Sequence, residues 1–228
     1  ISAGTGFSGP NSCGSLGSFI SDAYFNYYGY AALLDHECLF MQHQFSSIIL
    51  AGGKGRRLNG QDKGLIHYQG APLINYAFER AQACACSILI SANRNIEFYR
   101  TFGVDVVPDS TPDFGGPLCG LSACAPFISS KFTVVIACDM PELSDSIIKT
   151  LQLALLSKVN HFDAAVYEQN NRLECGLMVL QTTVIKALAE NQQFRNRSIK
   201  GWLESLRLRS LQTESDTVFS NLNRPKDF

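Results

Sequence analysis

The sequence has no long apolar run. No stretch approaches the roughly 18–20 residues that cross a bilayer, so no membrane-spanning helix and no membrane partner are expected. Charge is scarce: Asp, Glu, Lys and Arg make up 17% of the 228 residues, and the formal net charge is -1. The molecule as a whole has no bulk attraction for nucleic acid, and no nucleic-acid partner is expected. Lys and Arg are absent from residues 1–53, which leaves no positively charged start for a secretory signal. Four histidines, His36, His43, His67 and His161, form no H-E-x-x-H and no other ligand spacing. No G-x-S-x-G elbow is present, and no Ser–His or Cys–His arrangement stands out. The eight cysteines, at 13, 38, 84, 86, 119, 124, 138 and 175, form no C-x-x-C pair and no zinc spacing. Several sit inside apolar runs, where a thiol behaves as a small hydrophobe. They read as buried, reduced thiols of a cytosolic protein, because a chain of this size and apolarity does not need a disulfide framework.

What is present begins near Met41. Residues 1–40 are rich in Gly, Ser and Tyr without a period and read as an unassigned N-terminal extension; the working domain is expected over 41–228. From residue 46 apolar runs alternate with helical patterns. Strands are predicted over "SSIILA", "SILISA", "VDVVP" and "KFTVVIACDMP", the last ending on Asp139. Helices are predicted over "PLINYAFERAQA", "NIEFYRTF", "GPLCGLSACAPFI" and "SDSIIKTLQLALL", the last with Ser144 as N-cap. "FDAAVYEQ" and "LECGLMVLQ" read as strands joined at Asn170-Asn171, and "TTVIKALAENQ" and "SIKGWLESL" as helices. Strand–helix alternation with apolar strands predicts parallel strands covered on both faces. Ligands of such sheets sit outside the carboxyl ends of the strands. Three polar segments fall on that edge: "AGGKGRR", "ANRN" and "CDMP".

The stretch "IILAGGKGRRLNGQDKGL" places Gly52, Gly53, Gly55 and Gly60 among Lys54, Arg56, Arg57 and Lys63. Glycine lets backbone amides approach a ligand, and the cations point to an anion. Neither standard phosphate loop fits. A G-x-G-x-x-G beginning at Gly53 would need glycine where Leu58 stands, and the P-loop ending Gly-Lys-Ser/Thr is missing. The same stretch would also serve as a solvated surface loop. Asp139, directly after an apolar strand, is where a hard divalent cation would be held together with substrate phosphates; a turn acid before Pro141 is the plainer alternative. Asp109 and Asp113 are weaker candidates, because Asp is common in turns. Asn221 and Asn223, two apart near the end, would face the same side of an extended segment.

Together, "LAGGKGRRLNGQDKGL", "ANRN", "PDSTPDFGGPLCGL", "ACDMP" and "NLNRPKD" resemble the molybdenum cofactor guanylyltransferase family over about residues 46–227. The first motif alone reaches only nucleotidyltransferases in general; "GPLCG" and the terminal N-x-N-x-P-x-D narrow it. The resemblance implies an α/β fold, a three-layer sandwich with a mostly parallel sheet, of the Rossmann-like nucleotide-diphospho-sugar transferase type. It implies transfer of GMP from GTP to the phosphate of molybdopterin with release of pyrophosphate, and Mg2+ as cofactor. Leu50, Ala51, Gly52 and Gly53 would line the nucleotide, with Ser91 beside it. Arg57 and Lys63 would grip its phosphates, Asp109 would contact the nucleoside, and Asp139 would bind the metal. Asn221 and Asn223 would lie near the pterin-side substrate. A molybdoenzyme or another cofactor-synthesis protein would be the partner that follows. Three positions depart from the family pattern: Ser91 where the family often has Asn, Leu58 where it has Met, and Cys175 where it often has Pro. Rival readings are a cytidylyltransferase or sugar-phosphate nucleotidyltransferase of the same fold, and a non-catalytic nucleotide-binding protein.

Overall fold

The structure, a computed structural model, describes residues 41–53, 60–110, 116–157, 161–191 and 198–213. All of these lie in the unit that begins at Met41. Four strands point the same way: β1 (Phe45–Leu50), β4 (Ser87–Ser91), β5 (Asp105–Val107) and β6 (Phe132–Ala137). A hairpin follows, made of β7 (Ala164–Gln169) and β8 (Arg172–Gln181), and β9 (Leu208–Gln212) pairs parallel to β7. The sheet order is β5-β4-β1-β6-β8-β7-β9, and only β8 runs against the rest. A separate two-stranded ribbon pairs β2 (His67–Tyr68) with β3 (Ala71–Pro72).

The alternation of side chains along each strand sends consecutive apolar residues to opposite faces. Ile49, Ile90, Val134, Ile136 and Val179 share one core with Ile74 and Ala77 of α1 (Leu73–Cys84) and with Ile148 and Leu151 of α4 (Asp145–Leu156). Ile48, Leu89, Val135, Met178 and Leu180 share the other. Their partners there are Leu118 and Leu121 of α3 (Pro117–Cys124), Ile185 of α5 (Thr182–Glu190) and Trp202 of α6 (Ile199–Leu203). Each fully buried Ile or Leu contributes about 1.5–3 kcal/mol, so the two-faced apolar strands hold the sandwich together. This is the three-layer α/β arrangement that the strand–helix alternation predicts. Among the described residues no helix is long and apolar enough to cross a membrane.

Several local details differ from expectation for identifiable reasons. The fourth apolar run leaves the ladder at Ala137, so Asp139 stands beyond the strand end, with the Cys138 N–H still donating to the Leu50 carbonyl at 3.2 Å. Helix α3 stops at Cys124 and tightens into a 3-10 turn over Ala125–Phe127. Pro126 has no N–H for the Ser122 carbonyl, which accepts instead from the Ala125 N–H. Ser144 occupies the N-cap of α4 but makes no side-chain cap bond; its hydroxyl lies 3.0 Å from that of Ser146. The strands are not wholly apolar either. Ser46 is buried because its hydroxyl lies 2.7 Å from those of Ser87 and Ser130. Strand β9, with Arg209 as its second residue, and the β2–β3 ribbon carry no clear period and are not legible in the sequence. Of the cysteines, Cys84, Cys119, Cys124 and Cys138 are buried while Cys86 is exposed. Burial pushes the thiols of Cys84 and Cys124 up to about 12, which keeps them protonated and unreactive.

The β7–β8 hairpin turns on two residues, Asn170 (φ 48) and Asn171 (φ 60), with Gln169 paired to Arg172. Positive φ at both central residues is the type I′ turn, whose twist matches the flanking strands. A β-branched side chain resists that region. Asn171→Val is therefore expected to lower unfolding free energy by about 1–2 kcal/mol, and Asn171→Gly to preserve or raise it; urea denaturation of both variants checks this.

Candidate active site

The three parallel strands β4, β1 and β6 end side by side, and their next residues converge. Ala51 donates its N–H to the Ser91 carbonyl at 2.9 Å, and Ala92 donates to the Val107 carbonyl at 3.2 Å. Leu50, Ala51, Gly52 and Gly53 after β1, Ser91 at the end of β4, Asp109 after β5 and Asp139 after β6 all line one cavity of about 420 Å³. Lys63 joins them from the far flank of the glycine loop, and Gly116, Pro117, Gly120, Cys175 and Ile199 close the opposite wall. The structure thus gathers Leu50, Ala51, Gly52, Gly53, Lys63, Ser91, Asp109 and Asp139 in one place. Arg57, Asp113, Asn221 and Asn223 lie outside the described residues.

Lys63 Nζ donates to Asp139 Oδ2 across the cavity floor. Both side chains are largely withdrawn from solvent, at 18% and 13% exposure, so the pairing forms where screening by water is weak. What places the lysine is a node that sequence reasoning missed. Asp62, itself buried, accepts at Oδ1 from the Gly64 N–H at 3.2 Å and from the Tyr99 hydroxyl at 2.8 Å. Its Oδ2 accepts from Asn95 Nδ2 at 2.8 Å. The first of these bonds caps the short 3-10 turn Lys63–Leu65 and so fixes the lysine's backbone. Tyr99 packs so close to Gly64 that an added Cβ would collide with its hydroxyl. Burial, followed by the charge of Asp62, raises the Tyr99 hydroxyl far above its ordinary range, so it stays protonated and donates.

The strand-end turn Ala92–Asn95 holds the other side. Asn93 Nδ2 donates to Asp109 Oδ2 at 2.9 Å and, more weakly, to the Gly52 carbonyl at 3.4 Å. Asn93 Oδ1 in return accepts from the Asp109 N–H at 2.7 Å. Burial holds the Asp109 carboxyl above the ordinary carboxylate range, and the Asn93 bond partly offsets this. Arg94 donates to the carbonyls of Gly53, Gly60 and Gln61. Gly120 of α3 presses on Ser91: a Cβ there would collide with the serine hydroxyl. On the remaining side, β7 pairs through Val166 with Met178 and then through Tyr167 with Glu174. That irregularity leaves Cys175 out of step with the strand's alternation, packed on the α3–α5 face and lining the cavity.

Among the described residues no three His, Cys, Asp or Glu side chains converge as a metal cage. The arrangement offers the carboxylates of Asp139 and Asp109, the cation of Lys63 and glycine-rich main chain at the carboxyl edge of a parallel sheet. That is equipment for binding and positioning a polyphosphate rather than for proton abstraction.

Residues 47–210 match the family described as "MobA-like NTP transferase domain". The chain belongs to that family. It is 33% identical over 181 residues to the molybdenum cofactor guanylyltransferase of Methylibium petroleiphilum, covering 77% of this chain and 89% of that protein. It is 34% identical over 182 residues to the protein of the same name from Pseudomonas putida, covering 79% and 94%. Among solved structures, molybdopterin-guanine dinucleotide biosynthesis protein A of Archaeoglobus fulgidus superposes with a TM-score of 0.64 at 21% identity, covering 80% of this chain and 94% of that one. At that identity the likeness speaks for the fold. As a MobA-like NTP transferase the chain is a nucleotidyltransferase, and its cavity sits where the fold places ligands.

If Asp62 fixes Lys63 through this node, Tyr99→Phe is expected to cost about 1–3 kcal/mol of stability, the loss of one hydrogen bond to a buried charge. Turnover should also fall several-fold, because the 3-10 turn loosens. Urea denaturation and a steady-state assay on the same preparation check both effects.

Proposed function

We propose that the chain transfers GMP from GTP to the terminal phosphate of molybdopterin, releasing pyrophosphate and forming the guanine dinucleotide form of the cofactor. The observation that carries this is the meeting of Lys63 and Asp139 in a cavity that the Gly52–Gly53 main chain also lines. The substrate pair is argued from the relatives' activity as their names give it, and from the motifs they share with this chain. A molybdoenzyme or another cofactor-synthesis protein would take up the product.

The reaction asks little acid–base chemistry of the protein. The second pKa of a phosphate monoester is near 6, so the nucleophilic phosphate is mostly dianionic at neutral pH. Its oxygen attacks the α-phosphorus of GTP; a new P–O bond forms as the bond to the β-phosphate oxygen breaks, and the electron pair leaves with pyrophosphate. The barrier is charge: two anions must approach, and negative charge grows on the leaving group. Lys63 places a cation at the cavity floor, and the glycine main chain offers amides that need no reorganisation during the reaction. Arg57 would add a second cation. Asp139 fits Mg2+ by its chemistry: a hard oxygen donor suits an ion that takes one or two carboxylates and fills its shell with substrate phosphates and water. Mg2+ held there would neutralise phosphate charge during the transfer. Asp109, tied to Asn93 and placed against Ser91 and Gly120, belongs to the part of the cavity that would receive the nucleoside.

Two outcomes follow. Lys63→Ala and Asp139→Ala are each expected to lower kcat by about 10²–10³-fold with Mg2+ saturating, while circular dichroism stays that of the parent; near-normal rates in either variant would sink the assigned roles. Pyrophosphate release with molybdopterin and each of the four nucleoside triphosphates is expected to be fastest with GTP. Fastest release with CTP would instead favour the cytidylyltransferase reading and point to Ser91, whose side chain is shorter than the family's Asn.

A further inference from the structure

We propose that Arg94 is a positioning residue for nucleotide phosphates, acting through the main chain at the two flanks of the glycine loop rather than by touching the nucleotide. The guanylyltransferase reading enters only in naming the ligand. Arg94 Nη2 donates to the Gly53 carbonyl at 2.9 Å and to the Gln61 carbonyl at 3.0 Å, and Nη1 donates to the Gly60 carbonyl at 2.6 Å. One planar group therefore gathers three carbonyls from both ends of the loop.

Carbonyl oxygens carry partial negative charge, and left facing a polyphosphate they would repel it. Drawn onto a guanidinium, they are neutralised and turned aside. Asn93 acts in the same sense on the Gly52 carbonyl, at 3.4 Å. Because the C=O and N–H of a trans peptide point in opposite directions, holding that carbonyl leaves the Gly53 amide to the cavity that Gly53 lines.

Two further observations separate this from an ordinary surface arginine. None of the ion pairs found among the described residues includes Arg94, so its charge goes to carbonyl dipoles and not to a carboxylate. Its Nε is buried without a hydrogen-bond partner. A guanidinium that leaves one donor unmet while its terminal nitrogens serve three carbonyls is held for the geometry of those carbonyls. Lysine could not replace it, because a point ammonium lacks the planar fork that reaches both flanks at once.

The test compares the full chain with Arg94→Ala and Arg94→Lys. KM for Mg-GTP is expected to rise about tenfold to a hundredfold in Arg94→Ala, the range for losing charge-assisted hydrogen bonds. It should rise nearly as far in Arg94→Lys, with kcat close to the parent value in both. Amide hydrogen exchange at Gly53, Gly60 and Gln61 should quicken in both variants. A parental KM in Arg94→Lys would overturn the proposal, since charge alone would then suffice; so would a loss confined to kcat, or unchanged exchange at those amides. Should Arg94→Ala fail to fold, as thermal unfolding would show, Arg94→Lys decides alone. Should the parent chain not turn over GTP, the guanylyltransferase reading fails by itself, and the exchange rates with the affinity for magnesium tripolyphosphate still judge Arg94.

Discussion

The contact between Lys63 and Asp139 is the constraint around which this molecule is arranged. It joins two segments far apart in sequence, the far flank of the glycine loop and the turn after β6. The sheet brings them within reach because β1 and β6 are parallel neighbours that end at the same level, Leu50 opposite Ala137. Withdrawn from water, either charge alone would be costly, and together they make the charge separation tolerable. The pairing also leaves both groups adjustable. In the proposed reaction an incoming polyphosphate would compete for the ammonium and Mg2+ for the carboxylate.

The antiparallel strand shapes the rest of the cavity. Had the chain continued as a plain parallel sheet, the strand beside β6 would also end at the carboxyl edge and add another loop there. Instead β8 starts at that edge and runs away from it, paired with β6 from Leu177–Ile136 down to Gln181–Phe132. Its first residues are freed from β6, and the irregular pairing with β7 moves Cys175 to the face carrying α3 and α6. The cavity thereby gains a wall of Cys175, Ile199 and Pro117 that is poor in charge, beside the charged Lys63 and Asp139. One half of the cavity suits phosphates; the other suits a flat or weakly polar group.

Much of this was legible in the sequence because it rests on periodicity and edge position. Strands buried on both faces announce themselves as continuous apolar runs such as "SIIL" and "TVVIA", and their carboxyl ends put "AGGKGRR", "ANRN" and "CDMP" on one edge. The Asn170-Asn171 turn was visible, although what it does to the sheet was not: reversal of β8 depends on which neighbour the strand chooses, and that is a tertiary matter. Strand β9 was hidden because Arg209 and Gln212 break its apolar character at the sheet's margin. The roles of Asp62, Arg94, Asn95 and Tyr99 were hidden for a different reason. Their partners are main-chain groups or one another, and bonds of that kind leave no spacing rule in a sequence. Arg57, Asn221 and Asn223, legible as motif residues, fall outside the described segments.

The turn after β4 shows how so much site geometry can follow from so few residues. Asn93, Arg94 and Asn95 are consecutive, yet each serves a different partner: Asp109 with the Gly52 carbonyl, the flanks of the glycine loop, and Asp62. An extended strand would send alternate side chains to opposite faces and could not do this. The turn can, because Asn95 takes the left-handed conformation (φ 50) at the N-cap of α2 (Ile96–Arg100), which swings the chain so that three successive side chains fan outward. Asparagine adopts that conformation more readily than other non-glycine residues. The same residue therefore bends the backbone and holds Asp62, and Asp62 in turn fixes the turn that carries Lys63. Asp109, the loop flanks and the turn of Lys63 are thus referred to one corner of the sheet, and of its three side chains it is Asn95, through Asp62, that reaches the lysine's turn.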